Sequence, residues 1–446
     1  MATNRRSFIK YASLAAAGNA AGLRPFGMLN SLAQSATDYK ALVCVFLYGG
    51  NDANNMLVQF DTAGYANYAA VRGPLAIPQA QLLQLGTAPT FGLNPNLPDI
   101  AKLFDNKAAA LVTNVGTLMQ PTTRAQYLAG TTVPTNLFSH SDQQLEWQNA
   151  SQSGSVPSGW AGRIADTIGG SYNPNGKIPM ITSVAGDTLF CNGSSSTPVS
   201  VSPGNLGAAQ CSEGASECGA QQATAQALLS FSSGLSLVQA DNGIATNAYA
   251  YAKTLSDAVQ SVSPLQTVFP GQNGLAAQLK QIAQIIQVRA ALGVSRQIFF
   301  AGIGSFDTHS DQLNLQGNLL ASIGPAIAAF YQATQELQVQ NNVTTFTMSD
   351  FSRTFQPNSN TGSDHAWGSH HIVVGGAVKG GNLYGKFPTL ALGGPDDSGN
   401  NGRWVPSTAS VQYAATLAQW FGVSQAQLSQ VFPNIGGFPT TNLGFV

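Results

Sequence analysis

Histidine is scarce in this chain, and all five copies sit inside or beside short polar motifs. His140 lies in FSHSDQQ, His309 in FDTHSDQ, and His365, His370 and His371 in SDHAWGSHH. Aspartates travel with them: Asp142, Asp307, Asp311 and Asp364, with Asp52 in YGGNDANN and Asp350 in TMSDFSRT. A neutral imidazole and a carboxylate form the usual ligand pair for zinc, manganese and similar divalent cations. Rare residues of these types, crowded into four distant stretches, point to one metal-dependent, hydrolase-like centre.

Each motif has its own chemistry and its own plainer reading. Gly49 and Gly50 permit a tight turn that presents Asp52 with three asparagines, as a ligand group or as an Asx turn. In extended chain, residues two apart point to one side, so Asp307 and His309 can face one cation; Asp307 or Thr308 can equally cap a helix. Arg353, beside Asp350, can grip two oxygens of a phosphate or sulfate through its planar fork, or pair with a neighbouring carboxylate. His365 opens the next loop. Adjacent His370 and His371 point opposite ways in a strand, so one of them at most is a primary ligand. Ser139, next to His140 and ahead of a helix, is a usable nucleophile, because helix N-terminal amides stabilise an attacking anion; an N-cap at Ser139 or Ser141 is the alternative.

The elements that must position these motifs are short Val/Ile/Phe-rich runs read as buried parallel strands: Ala41–Tyr48, Ala109–Val115, Gln297–Ile303, Val343–Met348 and His371–Gly376. Helical patterns lie between them, notably Gly274–Leu292 and Gly317–Val339. Alternation of this kind predicts an α/β fold: a doubly wound, mostly parallel sheet with helices on both faces. Three motifs follow directly on strands, where open parallel sheets bind their ligands. Residues 191–222 read as a surface loop, and Gln221–Val262 as one or two helices of a cap, giving a helical and loop insertion at about 190–265.

Charged residues are only 9% of the chain and the net charge is −1, against roughly 25% charged residues in ordinary domains. No basic face argues for nucleic acid, and no later apolar segment argues for a stable membrane span. The opening Asn4-Arg5-Arg6-Ser7-Phe8-Ile9-Lys10, the short apolar run Tyr11–Gly18 and the small residues around Ala33-Gln34-Ser35 read as a twin-arginine signal over residues 1–36. The mature chain, 37–446, is then periplasmic or secreted, with the twin-arginine translocase as a partner during export. Cys211 and Cys218 are candidates for a disulfide and Cys44 reads as a buried thiol; without CxxC spacing, none is read as a metal ligand.

Together, FLYGGNDANN, the Ser-His station with SGWAGR after it, FDTHSDQ and SDFSRTFQPNSNTGSDHAWGSHHIVVGGAVKGG carry a resemblance. The chain resembles the twin-arginine-exported family of unknown function within the alkaline phosphatase-like (phosphatase/sulfatase) superfamily, along the whole mature chain. The resemblance implies one alkaline phosphatase-like domain over 37–446. Asp52 is similar to the first-strand metal-bridging aspartate, and Asp307 and His309 to a later Asp/His pair. Asp350 resembles the aspartate of a Ser-Asp-His-Gly motif, and one of His370 and His371 its last histidine. Ser139 falls where the nucleophile should be. The histidine expected after Asp350 is Phe351 here, so a ligand is missing, His365 replaces it, or a second metal is absent. The implied activity is hydrolysis of phosphate or sulfate esters, small or glycan-borne. One or two divalent cations would take part, zinc first with manganese, magnesium or calcium as alternatives, and Ser139, His140 and Arg353 would do the chemistry. The competing expectation is a catalytically degenerate metal-binding protein that binds a cell-surface glycan or protein partner.

Overall fold

β1 (Lys40–Leu47) has the sequence KALVCVFL, and its last seven residues are buried. An unbroken apolar run is what a strand covered on both faces requires. Leu42, Cys44 and Phe46 enter one large hydrophobic cluster, while Ala41, Val43 and Val45 are equally inaccessible on the opposite face. This computed structural model describes residues 38–151, 157–204, 206, 220, 223–224, 227–230 and 234–446. The expected signal segment and the Cys211–Cys218 pair lie outside the described residues. The chain divides into Met1–Tyr39, of which only Asp38 and Tyr39 are described, and a compact unit Lys40–Val446.

A small antiparallel sheet is made of β2 (Leu57–Gln59), β3 (Leu83–Gln84) and β4 (Phe91–Leu93), with β4 in the middle. The large sheet takes β1 with β5 (Ala109–Gly116), β6 (Ile181–Ser183), β7 (Val199–Ser200), β8 (Arg296–Ile303), β9 (Val343–Ser349), β10 (Ser369–Val374), β11 (Leu383–Tyr384) and β12 (Thr408–Ala409). Its order is β11-β5-β10-β9-β1-β8-β6-β7, with β12 also paired to β5. β1 is parallel to β8 and β9, and β6 to β7 and β8. The helices Trp160–Tyr172 and Ser410–Phe421 pack into the cluster with Leu42 and Phe46. The helix Gly274–Gln287 packs on β8 outside that cluster, with Gln312–Glu336 beside it. The expected α/β class, mostly parallel, is therefore the observed one.

β10 departs from the parallel strand expected at His371–Gly376, running antiparallel to both β5 and β9. A parallel return needs a crossover, usually a helix, and Asp350–Gly368 contains none. The chain instead folds back at the sheet edge. Helix bounds also shift: the first helix breaks at Val288 before Arg289–Leu292, and the second starts at Gln312, five residues before the expected Gly317. Within the stretch expected to be an insertion, Ser236–Gln260 is helical, while Val199–Ser200, expected in a surface loop, is β7 of the large sheet. Cys44 and Cys191 are buried free thiols. Among the described residues no helix is long and apolar enough to cross a membrane.

Candidate metal centre

The loops after β1, β8 and β9 leave the sheet at the same edge, and glycines let them touch. Gly49 has φ +109°, and a Cβ on it would stand 2.5 Å from the Asp307 backbone nitrogen. Under His309 lies Gly362, where a Cβ would come within 2.1 Å of the His309 carbonyl carbon. Arg353 and His365 form an antiparallel bridge within the fold-back before β10, which brings His365 over the same edge. The fourth contributor, His140, is the first residue of the helix His140–Asn149, with Ser139 as its N-cap.

Four donor atoms from these stretches converge. Asp307 Oδ1 lies 3.3 Å from His140 Nε2, 3.0 Å from His309 Nε2 and 3.3 Å from His365 Nε2. The His309 and His365 Nε2 atoms are 2.9 Å apart. His140, Asp307 and His365 offer ligand atoms that all lie within 4.8 Å of one another. Zinc–nitrogen bonds of about 2.0–2.1 Å in a tetrahedron put neighbouring ligand atoms roughly 3.3 Å apart. The separations of Asp307 Oδ1 from the three Nε2 atoms, and of His309 from His365, lie near that edge length at 2.9–3.3 Å.

The second set of contacts fixes the direction of every ring. His140 Nδ1 stands 2.7 Å from Asp350 Oδ2, His365 Nδ1 2.7 Å from the Phe138 carbonyl, and His309 Nδ1 3.2 Å from Asp364 Oδ1. Each Nδ1 has an acceptor behind it and therefore carries the hydrogen. Each Nε2 then turns a lone pair toward the common point, as metal-binding histidines do. His140 Nε2 is buried and makes no hydrogen bond. The Phe351 ring, centred 4.8 Å from both His365 and His140, forms an aromatic floor under the two imidazoles. These residues fit a divalent cation.

Electrostatics differ from ring to ring. The Asp350 hydrogen bond and the nearby carboxylate charges raise the pKa of His140, against the opposing effect of burial. Burial lowers that of His365. Burial alone would raise the Asp307 carboxyl, but the Arg353 hydrogen bond and charge, with His309 and His140, hold it below the ordinary carboxylate value.

Several residues expected at the centre stand elsewhere. Asp52 is buried against Arg72; it accepts from Asn54 N–H at 3.0 Å and from Gln312 Nε2 at 2.5 Å, so both oxygens are engaged. It caps the short helix Ala53–Met56. Asp350 stands behind His140, its Oδ2 taking hydrogens from His140, Gly49 N–H at 3.2 Å and Gln144 Nε2 at 2.9 Å. Arg353 cannot reach a substrate as its fork is placed. It is fully buried and donates to the carbonyls of Gly49, Gly50, Phe306 and Ser363 and to Asp307.

His370 and His371 lie within β10, where side chains leave along the sheet faces and away from the edge. His370 Nδ1 accepts the Asn114 N–H at 3.0 Å and the ring packs on Phe387. His371 lies between Trp147 and Tyr413, with neither ring nitrogen hydrogen-bonded. Neither joins the cluster. Ser139 Oγ donates to Asp142 Oδ2 at 2.5 Å and caps the helix, as the plainer reading of that motif has it. The part sequence reasoning missed is the place of His140 in the His/Asp cluster, which it read as catalytic, together with Gln144 and the Phe138 carbonyl behind the histidines. Only the crowding of His140 with Ser and Asp marked that stretch.

Fold and site together define an α/β protein with a three-histidine, one-aspartate centre at the carboxyl edge of its sheet. The chain belongs to the family described as Protein of unknown function (DUF1501), matched over residues 39–398. No curated protein matches it in sequence. Among solved structures it is similar to Ps i-CgsB in complex with k-i-k-neocarrahexaose, at 10% identity and TM-score 0.36, covering 90% of this chain and 77% of the other. It is also similar to the lipoteichoic acid synthase LtaP from Listeria monocytogenes (7%, TM-score 0.35, covering 86% and 72%). A third is the PsFucS1 sulfatase from Pseudoalteromonas sp. (8%, TM-score 0.32, covering 82% and 68%). Likeness at this level says nothing of activity, which has to be argued from the residues.

Proposed function

We propose that the protein is an exported, metal-dependent hydrolase of phosphate or sulfate esters, built around a single divalent cation held by His140, Asp307, His309 and His365. The observation that carries this reading is the convergence of three Nε2 atoms on Asp307 Oδ1 within 3.3 Å, with an acceptor fixed behind every ring. Three imidazoles favour zinc or manganese over magnesium and calcium, which prefer oxygen ligands. A bound cation supplies Lewis-acid polarisation of an ester oxygen. The residues set aside for a second cation support a mononuclear centre: Asp52 is held by Arg72, Asp350 orients His140, and Phe351, where the resemblance implies a histidine, offers only a ring packed on His140.

The chain's own groups supply the rest. Ser139, one residue before His140, is the proposed nucleophile: with its hydroxyl turned from Asp142 to the ester, its oxygen would bond to the phosphorus or sulfur while the ester's alcohol oxygen leaves and takes up the hydroxyl proton. The N-terminal N–H groups of the helix His140–Asn149, of which Asp142 N–H donates to Ser139 itself, lie at that end and would favour the developing anion. The NRRSFIK segment supports export by the twin-arginine translocase to the periplasm or beyond, and small-molecule and glycan esters both remain in scope. The test is the metal content of the purified protein, followed by a panel of aryl and alkyl phosphate and sulfate esters with zinc or manganese. Stoichiometric metal with turnover lost in Ser139→Ala is expected; no turnover on any ester with metal bound rejects the hydrolase.

One observation favours a second reading, a metal-binding protein without turnover that recognises a surface glycan or protein: the Ser139 hydroxyl already has its acceptor in Asp142. That reading expects bound metal, no ester cleavage and ligand binding indifferent to Ser139→Ala.

A further inference from the structure

A tetrahedral oxyanion on one cation leaves oxygens that need further hydrogen-bond donors, and Arg353 is sealed away from them. Arg72 is likewise fully buried, on Asp52, Asn55 and the carbonyls of Thr354 and Phe355. Arg403 is different. Its Nε donates to the His365 carbonyl at 2.8 Å, and its guanidinium carbon lies 4.2 Å from the centre of the Phe138 ring. Phe138 is the residue whose carbonyl holds His365 Nδ1, and it directly precedes Ser139. Arg403 therefore borders the cation centre and the proposed nucleophile together. It is half-buried, and its two terminal NH2 groups make no hydrogen bond among the described residues.

The backbone holds Arg403 firmly in this place. The fully buried Asp397 carboxylate accepts N–H hydrogens from Gly393, Gly399, Gly402 and Arg403 at 2.9–3.0 Å. Ser398 N–H donates to the Arg403 carbonyl at 2.8 Å, and the neighbouring Trp404 Nε1 donates to Asn54 at 2.8 Å. A pinned loop that ends in an arginine with a free planar fork is the arrangement that recognises phosphate or sulfate bidentately.

We propose that Arg403 grips the non-bridging oxygens of the substrate's phosphate or sulfate group beside the cation, the part the sequence assigned to Arg353. The proposal rests on the ester-hydrolase reading. Inorganic phosphate and inorganic sulfate, titrated separately into the zinc-loaded full chain by calorimetry, test it. Wild type should bind one or both. Arg403→Ala and Arg403→Gln should weaken that binding at least tenfold with zinc stoichiometry unchanged, and Arg403→Lys should keep part of it; the Gln variant preserves the stem and a donor for the His365 carbonyl, so its melting temperature should stay at the wild-type value. Phosphate or sulfate binding as tight in both variants as in wild type overturns the role of Arg403 and leaves the ester reading standing. Wild-type protein that carries zinc and binds neither anion overturns the ester reading itself, and the role of Arg403 with it.

Discussion

His309 and His365 face each other nitrogen to nitrogen, with their Nε2 atoms 2.9 Å apart. Both rings give their Nδ1 hydrogen to an acceptor behind them. In the neutral state two lone pairs therefore meet at hydrogen-bond distance, an arrangement that repels unless positive charge lies between them. Zinc added to chelator-stripped protein should accordingly raise the melting temperature, because a ligand bound only by the native state stabilises it by about 2.7 kcal/mol at a hundred times its Kd. His365→Ala should abolish the rise. Melting curves of the wild type that ignore zinc and manganese alike would remove the cation centre altogether.

Asp350 tests how far the support behind a ligand matters. Its Oδ2 takes the His140 Nδ1 hydrogen while Gly49 and Gln144 hold the carboxylate in place. Asp350→Asn keeps the shape and removes the charge that aligns the ring. Loss of such an outer partner typically weakens metal binding on the order of 10–100-fold. Calorimetric zinc titration should therefore show lower affinity with one site still present. Loss of the site in Asp350→Asn would mean that Asp350 is itself a ligand.

How much of this was legible from sequence follows from what periodicity records. β1, β5, β8 and β9 were readable because strands covered on both faces are continuous apolar runs, and the motifs that follow β1, β8 and β9 lie at the sheet edge for the same reason. The direction of β10 was not readable, since SHHIVV looks the same run either way. The mistake at His370 and His371 comes from there: the spacing shows that the two rings oppose each other, but only the register inside the sheet shows that both face apolar layers. Arg353 and Asp52 failed for a related reason. A charged residue in a polar motif reads as available, and only the fold reveals the carbonyls around Arg353 and the Arg72 partner of Asp52. Phe351, read from the sequence only as a missing histidine, packs its ring on His140 and His365 instead.

Asp52 separates the sequence expectation from the structure most sharply. With its oxygens engaged by Arg72, Gln312 and Asn54, Asp52→Ala should leave zinc stoichiometry at wild-type level. It should instead destabilise the fold, since stranding one member of a buried ion pair costs roughly 3–5 kcal/mol. Chemical denaturation beside a metal assay on the same preparation decides the matter. Normal stability with the metal lost would restore Asp52 to the ligand set.

The two strand histidines make a prediction about acid. Burial pushes His370 down to about 4 and His371 down to about 3, the latter also through the adjoining His370, whose protonation would oppose its own, from an ordinary value of about 6.5. The groups packed on them are neutral: Asn114 and Phe387 for His370, Trp147 and Tyr413 for His371. Between pH 6.5 and 4 the unfolded chain binds protons that the native chain refuses, so stability falls as pH falls through this window, by on the order of a few kcal/mol. Below about 3 these two groups contribute no further loss. Thermal melts of chelator-stripped protein from pH 7.5 to 4.5 keep cation release out of the result. His371→Leu, an apolar replacement in an apolar setting, should flatten the fall. An identical slope in wild type and variant would show that the acid sensitivity arises elsewhere.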